Sequence, residues 1–167
     1  PTSGGQFSFV DELGFEVFYA DGHTEKQMLP IISYKGQKIA FANGCFDLLH
    51  PGHIHLLNEA AGNADRLVVG LNGDASVRRL KGAGRPHQSA ELRSAVLAAL
   101  PFVDAVAVFD EDTPFDLIAT LQPDIIVKGG DYVADQVVGG DIVAARGGQV
   151  LIISTLDGHA TSKLITA

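Results

Sequence analysis

The chain has 167 residues, and its 12 Lys and Arg against 20 Asp and Glu give a formal charge of −8. This acidic balance excludes a generally basic nucleic-acid-binding surface. No apolar run approaches the ~18 residues that a membrane-spanning helix needs, and the N-terminus lacks a signal-peptide pattern. The single cysteine, Cys45, excludes an internal disulfide. We therefore expect a soluble protein of the cytoplasm with no nucleic-acid or membrane partner.

Residues 1–35 differ in composition from the rest and hold six of the twelve aromatic residues. Two interpretations stay open. The segment forms a β-hairpin with strands at 7–10 and 15–20, or it is a passive leader. The Lys35-Gly36 pair marks the expected boundary. The chain is thus divided into an N-terminal extension, 1–35, and one domain, 36–167.

After this boundary, short continuous apolar runs alternate with helical stretches, which is typical of parallel strands buried on both faces. The predicted strands are 39–42, 67–71, 105–109, 125–127 and 150–153. The predicted helices are 51–61, 89–100, 113–121 and 141–145. This order indicates an α/β fold with a doubly wound, mostly parallel, five-stranded Rossmann-like sheet, whose ligands bind beyond the carboxyl ends of the strands.

The turn after the first of these strands carries the strongest chemical signal. His50 falls at the N-cap of the next helix, Pro51 suits its first position, and His53 follows one turn later. Free backbone N–H groups at a helix start attract anions, and two imidazoles there add donors. The glycines of this turn let a ligand approach the backbone. The pattern therefore predicts a phosphate site.

Other interpretations of this turn are weaker. A zinc site built on the two histidines and His55 lacks a carboxylate or thiolate to complete it, apart from Asp47. A dinucleotide site lacks the G-x-G-x-x-G fingerprint, and Gly70-Leu71-Asn72-Gly73 after the second strand does not replace it. A chance pair on a surface helix does not explain the position directly after a strand.

Three later segments also suggest phosphate contacts. Five Lys and Arg against one Glu between residues 76 and 93 give this stretch, expected to be a loop, a charge of +4. Such cations either attract phosphate groups or form a solvated surface. A glycine-rich turn follows the fourth strand at Lys128. Near the C-terminus, Thr161 and Ser162 either cap a helix or hold phosphate oxygens.

The run from Asn43 to His53, Asn-Gly-Cys-Phe-Asp-Leu-Leu-His-Pro-Gly-His, resembles the signature of the HxGH nucleotidylyltransferases of the cytidylyltransferase type. Within that superfamily, the segments 79–86 with 91–93, 127–132 and 157–163 resemble the heptose 1-phosphate adenylyltransferases, which make ADP-heptose for bacterial surface glycans. The resemblance extends from Gly36 to the end of the chain.

The resemblance implies transfer of AMP from ATP, with Mg²⁺, to a heptose 1-phosphate. It implies no metal-binding residue of the protein itself, a homodimer, and a sugar kinase that is fused to the enzyme or paired with it. The implied catalytic residues are His50, His53 and Lys81, and the acceptor-binding residues are Asp47 and Arg85. The implied nucleotide-binding residues are Asn43, Gly44, Cys45, Phe46, Gly52, Arg93, Lys128, Gly129, Asp131, Thr161 and Ser162.

Two departures from the family pattern matter. Ala160 replaces the first hydroxyl of the family's Ser-Thr-Thr-like turn. Thr155 stands where glycerol-phosphate cytidylyltransferases carry Arg, which argues against that activity. Transfer to glycerol 3-phosphate or to FMN remains an alternative, as does a nucleotide-binding module without turnover, although the intact histidine pair and Lys81 argue against the latter.

Overall fold

A computed structural model describes the backbone of residues 14–19 and 24–28, and the backbone and side chains of residues 36–130 and 132–156. None of the helices in these ranges has the length and apolar content needed to cross a bilayer.

Seven strands form one sheet in the order β2-β1-β5-β4-β3-β6-β7. The last five strands of the chain are parallel to one another, which confirms the predicted fold class. The strands are β1 (Gly14–Tyr19), β2 (Thr24–Met28), β3 (Ile39–Gly44), β4 (Arg66–Asn72), β5 (Ala105–Phe109), β6 (Ile125–Gly129) and β7 (Gln149–Ile153).

The N-terminal hairpin exists, but its predicted position was wrong. Strand β1 pairs antiparallel with β2, in the register Gly14↔Met28, and on its other edge with β5, in the register Glu16↔Val108. Both edges of β1 are therefore occupied by β2 and β5, so the predicted pairing of 15–20 with 7–10 is wrong; residues 7–10 themselves lie outside the described residues.

The helices are α1 (Pro51–Gly62), α2 (Asp74–Lys81), α3 (Ala90–Ala98), α4 (Phe115–Leu121) and α5 (Gly140–Ala145), with a 3-10 turn at Ala134–Gln136. Helix α2 corrects the expectation of a basic loop. Only Ser76 and Val77 of this helix are buried, and its 8 residues are fewer than the roughly 11–18 over which helical periodicity is recognised in a sequence. Its local signals are Asp74 in the first turn and basic residues in the last, which complement the helix dipole.

The sheet buries apolar side chains on both faces. Alternate residues of β3 point in opposite directions, with Phe41 in the cluster that contains Leu117 of α4, and Ala40 in the cluster that contains Leu57 of α1. This two-sided burial explains why the parallel strands are continuously apolar in sequence. The packed layers hold the carboxyl ends of β3, β4, β6 and β7 along one edge of the sheet.

Candidate active site

A cavity of about 720 Å³ opens at the carboxyl ends of the parallel strands. Doubly wound sheets bind ligands at this edge, because the loops and helix N-termini that follow the strands converge there. Twelve of the sixteen candidate residues line the cavity, namely Asn43, Gly44, Cys45, Phe46, Asp47, His50, Gly52, His53, Lys81, Arg85, Lys128 and Gly129.

The cavity has two chemically different ends. The end beside β6 and β7 is lined by Leu56, Gly129, Ile153 and Leu156, together with Lys128, Ser154 and Thr155, and we refer to it as the apolar end for its three large apolar side chains. The end beside β4 and β5 is lined by Asn72, Lys81, Arg85 and Asp112, and we refer to it as the polar end. The start of α1 lies between them, because β3 occupies the middle of the five parallel strands.

The two histidines of the predicted turn lie together at the start of α1. His50 is the N-cap residue, and its Nδ1 accepts a hydrogen bond from the backbone N–H of Gly52 at 3.1 Å. In that bond Nδ1 is the acceptor, so the neutral ring of His50 carries its proton on Nε2. The His53 ring stacks on the His50 ring, with the centroids 3.7 Å apart and the planes 24° from parallel. Both rings line the cavity at the positive end of α1.

His53 is held in its neutral form. Burial lowers the pKa of His53 to about 4, and the neighbouring His50 adds to the effect. The Phe46 ring contacts the His53 ring edge-on, at 5.2 Å between centroids. The buried Nδ1 of His53 has no hydrogen-bond partner within the described residues. Because buried polar atoms are nearly always paired in folded proteins, this nitrogen is suited to bind a molecule in the cavity.

The shape of the turn before α1 depends on Gly44 and Phe46. Phe46 has a φ of +43°, in the left-handed region that bulky residues rarely adopt, and its side chain is buried. A Cβ atom on Gly44 would lie 3.2 Å from Cε2 of Phe46, so glycine leaves room for this ring. Strained backbone of this kind clusters at ligand sites, which agrees with the position of the turn in the cavity wall.

Arg93 lies beneath the cavity and does not line it. Its side chain is fully buried, and Nη1 donates to the backbone oxygens of Cys45 and Asn72, each at 2.7 Å. Nη2 donates to Oδ1 of Asp74 at 2.7 Å, and Nε donates to the oxygen of Gln88 at 2.9 Å. One guanidinium thus joins the turn after β3, the end of β4, the start of α2 and the segment before α3.

Asp47 has a similar connecting role on the cavity wall. Its side chain is buried, and its oxygens accept from Nε of Arg85 at 2.7 Å and from the backbone N–H groups of His87 and Gln88 at 2.9 and 3.0 Å. Burial by itself would raise the pKa of Asp47, but these hydrogen bonds and the Arg85 charge outweigh it and hold the pKa below its ordinary value. Asp47 is therefore ionised and orients Arg85 at the polar end.

Lys128 reaches back from the end of β6 to the end of β3. Its Nζ donates to Oδ1 of Asn43 at 2.6 Å and lies 5.5 Å from the centroid of the Tyr132 ring. Burial lowers the pKa of Lys128. The pair joins two neighbouring strands at the cavity floor and places a cation near the apolar end.

The exposed residue Lys81 ends α2 at the cavity rim. Burial raises the pKa of the Cys45 thiol, and the positive charges of Lys81, Arg93 and Arg85 offset this only in part. A raised thiol pKa keeps Cys45 protonated, so it is unsuited to nucleophilic chemistry.

Only one of the other four candidate residues is described by the structure. Asp131, Thr161 and Ser162 are outside the described residues, and Arg93 is buried below the cavity. Conversely, Asn72, Asp112 and Tyr132 line the cavity but were not predicted as site residues. Asn72 and Asp112 could have been found, since each is a polar residue at or just after the carboxyl end of a predicted strand.

Comparison with known proteins agrees with this geometry. The cytidylyltransferase-like family model matches residues 41–155, and the chain belongs to that family. A solved lipopolysaccharide core biosynthesis protein from Thermoplasma volcanium GSS1 is 30% identical, with a TM-score of 0.59 over 72% of this chain and 98% of its own.

Two curated relatives share more sequence. Bifunctional protein HldE of Rhodopseudomonas palustris (strain HaA2) is 58% identical over 78% of this chain, and that of Acidiphilium cryptum (strain JF-5) is 56% identical over 79%. The chain spans about a quarter of the length of these relatives, 26% and 27%. Family and relatives together indicate a nucleotidyltransferase, as the sequence predicted.

Proposed function

We propose that the protein transfers AMP from ATP to a heptose 1-phosphate, giving ADP-heptose and pyrophosphate. The observation that carries the proposal is the stacked pair of His50 and His53 at the start of α1, inside a cavity with an apolar and a polar end. The similarity to the HldE proteins and to a lipopolysaccharide core biosynthesis protein supports a sugar phosphate as acceptor.

The two ends of the cavity suggest how the substrates are arranged. Adenine fits the apolar end, because Leu56, Ile153 and Leu156 offer apolar surface and Gly129 leaves room beside Leu56. The acceptor fits the polar end, where Lys81 and Arg85 attract its phosphate. The α-phosphate of ATP would then lie between the two, at the start of α1.

In the reaction, an oxygen of the acceptor phosphate forms a bond to the α-phosphorus. The bond from that phosphorus to the oxygen bridging the α- and β-phosphates breaks, and pyrophosphate leaves with its electron pair. The nucleophile is already ionised, so positioning and charge stabilisation account for catalysis. His50 and His53 donate hydrogen bonds to phosphate oxygens as negative charge develops, and the backbone N–H groups near Gly44 and Cys45 assist them.

The remaining predicted residues either contact a substrate or orient a part of the protein that does. We propose that Lys81 and Arg85 bind phosphate oxygens, and that Lys128 and Asn43 bind the nucleoside. Asp47 orients Arg85, and Arg93 orients the turn at Cys45 through its hydrogen bonds. Asp131, Thr161 and Ser162 stay predicted nucleotide ligands on the family resemblance, along with Phe46 and Gly52 of the turn.

We propose that Mg²⁺ enters with ATP and is held by the phosphates. In the described part of the chain, no group of three His, Cys, Asp or Glu side chains is arranged to hold a metal ion. Magnesium commonly binds substrate phosphates and waters with few protein ligands. The protein's contribution would be the cationic and N–H donors around the phosphate chain.

Several broader features are also proposals. We infer a transferase domain at 36–167, a homodimer, a cytoplasmic location, and a sugar kinase activity in the same longer protein or in a partner. The word bifunctional in the relatives' name, and the quarter of their length that this chain spans, support a second activity.

Pyrophosphate release tests the proposal directly. ATP, CTP and GTP are each combined with heptose 1-phosphate, glycerol 3-phosphate and FMN, and initial rates are compared. We expect ATP with heptose 1-phosphate to give the highest kcat/KM. Preference for CTP with glycerol 3-phosphate would overturn the adenylyl and heptose assignments but keep nucleotidyl transfer. Absence of release with all nine pairs would overturn transferase activity for this chain.

A further inference from the structure

The polar end of the cavity contains one carboxylate whose hydrogen-bonding capacity is not used up. Among the described lining residues the acids are Asp47 and Asp112. The Asp47 oxygens accept bonds from Arg85, His87 and Gln88. Asp112 accepts one bond at Oδ1, from Nε of Arg79 at 2.8 Å, and the structure gives its Oδ2 no partner in the described ranges.

The segment that carries Asp112 is attached firmly to the elements around it. The backbone N–H of Gly73 donates to the oxygen of Phe109 at 2.8 Å, and Oγ of Ser76 donates to the oxygen of Glu111 at 2.9 Å. Arg79 donates both to the Asp110 backbone oxygen and to the Asp112 carboxylate. The Arg79 and Asp112 side chains are 50% and 69% exposed, so the pair is weak, but it favours one orientation of the carboxylate at the rim before a ligand binds.

The surroundings determine what this carboxylate can bind. An ionised carboxylate is an acceptor only, so it binds hydroxyl or N–H donors and repels phosphate. Lys81 and Arg85, at the same end, attract phosphate. A ligand that satisfies both must carry phosphate at one point and hydroxyl groups at another, as a sugar phosphate does.

We propose that Asp112, oriented by Arg79, accepts hydrogen bonds from hydroxyl groups of the acceptor and so selects a hydroxyl-rich phosphate at this site. This inference rests on the proposed transferase function and adds to it a specificity-determining residue. The carboxylate directs the hydroxyls toward β5 and leaves the phosphate facing Lys81 and the start of α1. It also explains Arg79, a cation of the basic stretch that does not line the cavity.

The test compares Asp112→Asn with Glu111→Gln, a matched removal of one negative charge at the exposed neighbouring residue. We measure KM for the acceptor and for ATP, using whichever of heptose 1-phosphate, glycerol 3-phosphate and FMN the wild type uses best. Asp112→Asn should raise KM for the acceptor about 10- to 100-fold, the range for a hydrogen bond to a charged group, with KM for ATP nearly unchanged. Glu111→Gln should match the wild type in both.

Deoxy analogues of the acceptor give a second measurement. Removing the hydroxyl that contacts Asp112 should raise KM for the wild type but have little further effect on Asp112→Asn. The inference is overturned if Asp112→Asn keeps the wild-type KM, if Glu111→Gln raises it equally, or if no deoxy analogue distinguishes the two proteins. If the protein turns over a polyol phosphate other than heptose 1-phosphate, the proposed heptose function is contradicted. The comparison of Asp112→Asn with Glu111→Gln can still be made with that acceptor. Inactivity toward all three acceptors would overturn both proposals.

Discussion

The ring of His50 stacks on the ring of His53 with the centroids 3.7 Å apart, so a positive charge on one ring opposes protonation of the other. His53 is therefore neutral at pH 7 and can offer an N–H donor rather than an imidazolium charge.

From this arrangement we expect His53→Ala to lower kcat about 10²- to 10³-fold, with a smaller change in KM for ATP, because the donor acts mainly on charge developed in the transition state. His50→Ala should behave similarly. The double variant should lose less than the product of the two, since both rings serve one phosphate group. Steady-state pyrophosphate release measures all three, and near-normal turnover of His53→Ala would contradict the mechanism.

Metal analysis separates this mechanism from a zinc site. A structural zinc held by the histidines would be lost from His53→Ala together with stability. We expect unchanged metal content and a Tm close to that of the wild type.

The lowered pKa of His53 also predicts a pH dependence of stability. The folded-state pKa is about 4 and the ordinary value is 6.5, so between these values the unfolded chain binds more protons than the folded one. The free energy of unfolding should therefore fall as the pH is lowered through this window. Urea denaturation at several pH values in this window should show a smaller fall in the free energy of unfolding for His53→Gln than for the wild type. Equal slopes for His53→Gln and the wild type would contradict the assignment.

Removing the Arg93 side chain should destabilise the whole protein. Arg93→Met leaves the backbone oxygens of Cys45 and Asn72 without their buried donor and breaks the pair with Asp74. Leaving a buried backbone acceptor without its donor typically costs about 1–3 kcal/mol, and we expect a loss of at least this size in chemical denaturation. Arg78→Met, at an exposed position of α2, should stay within roughly 0.5 kcal/mol of the wild type.

The same pair of variants also tests how Arg93 serves the nucleotide. If Arg93 contacts nucleotide directly, Arg93→Met should keep its stability and lose ATP affinity. The hydrogen bonds of Arg93 favour the other result, in which Arg93→Met loses stability and the nucleotide site becomes disordered as a consequence.

Deleting residues 1–34 should lower the Tm or change the mass seen by light scattering. The deletion removes β1 and exposes the edge of β5, and unpaired strand edges promote association. Loss of several backbone hydrogen bonds, each worth about 0.5–1.5 kcal/mol, would lower the Tm by several degrees. Deleting residues 1–13 keeps the hairpin and is the matched control. A full deletion that behaves like this control would show that the hairpin contributes nothing to stability.

The sequence alone determined the features that arise from local chemistry. The continuous apolar runs predicted all five parallel strands, and all five begin and end within two residues of their prediction, Ala105–Phe109 without any shift. The His50-Pro51 helix start was predictable because capping depends on neighbouring residues. The start of this helix therefore needed no knowledge of the rest of the chain.

Only the tertiary structure decided which side chains face the cavity. Arg93 and Lys81 are both cations of one basic stretch, yet Arg93 is buried beneath the turn at Cys45 and Lys81 is exposed at the rim. Their difference depends on backbone oxygens contributed by distant segments, such as Asn72 at the end of β4, which local patterns do not encode. The N-terminal hairpin also could not be placed from local patterns. The partner of an antiparallel strand depends on which edge of the sheet is open, and here the open edge of β5 pairs with β1.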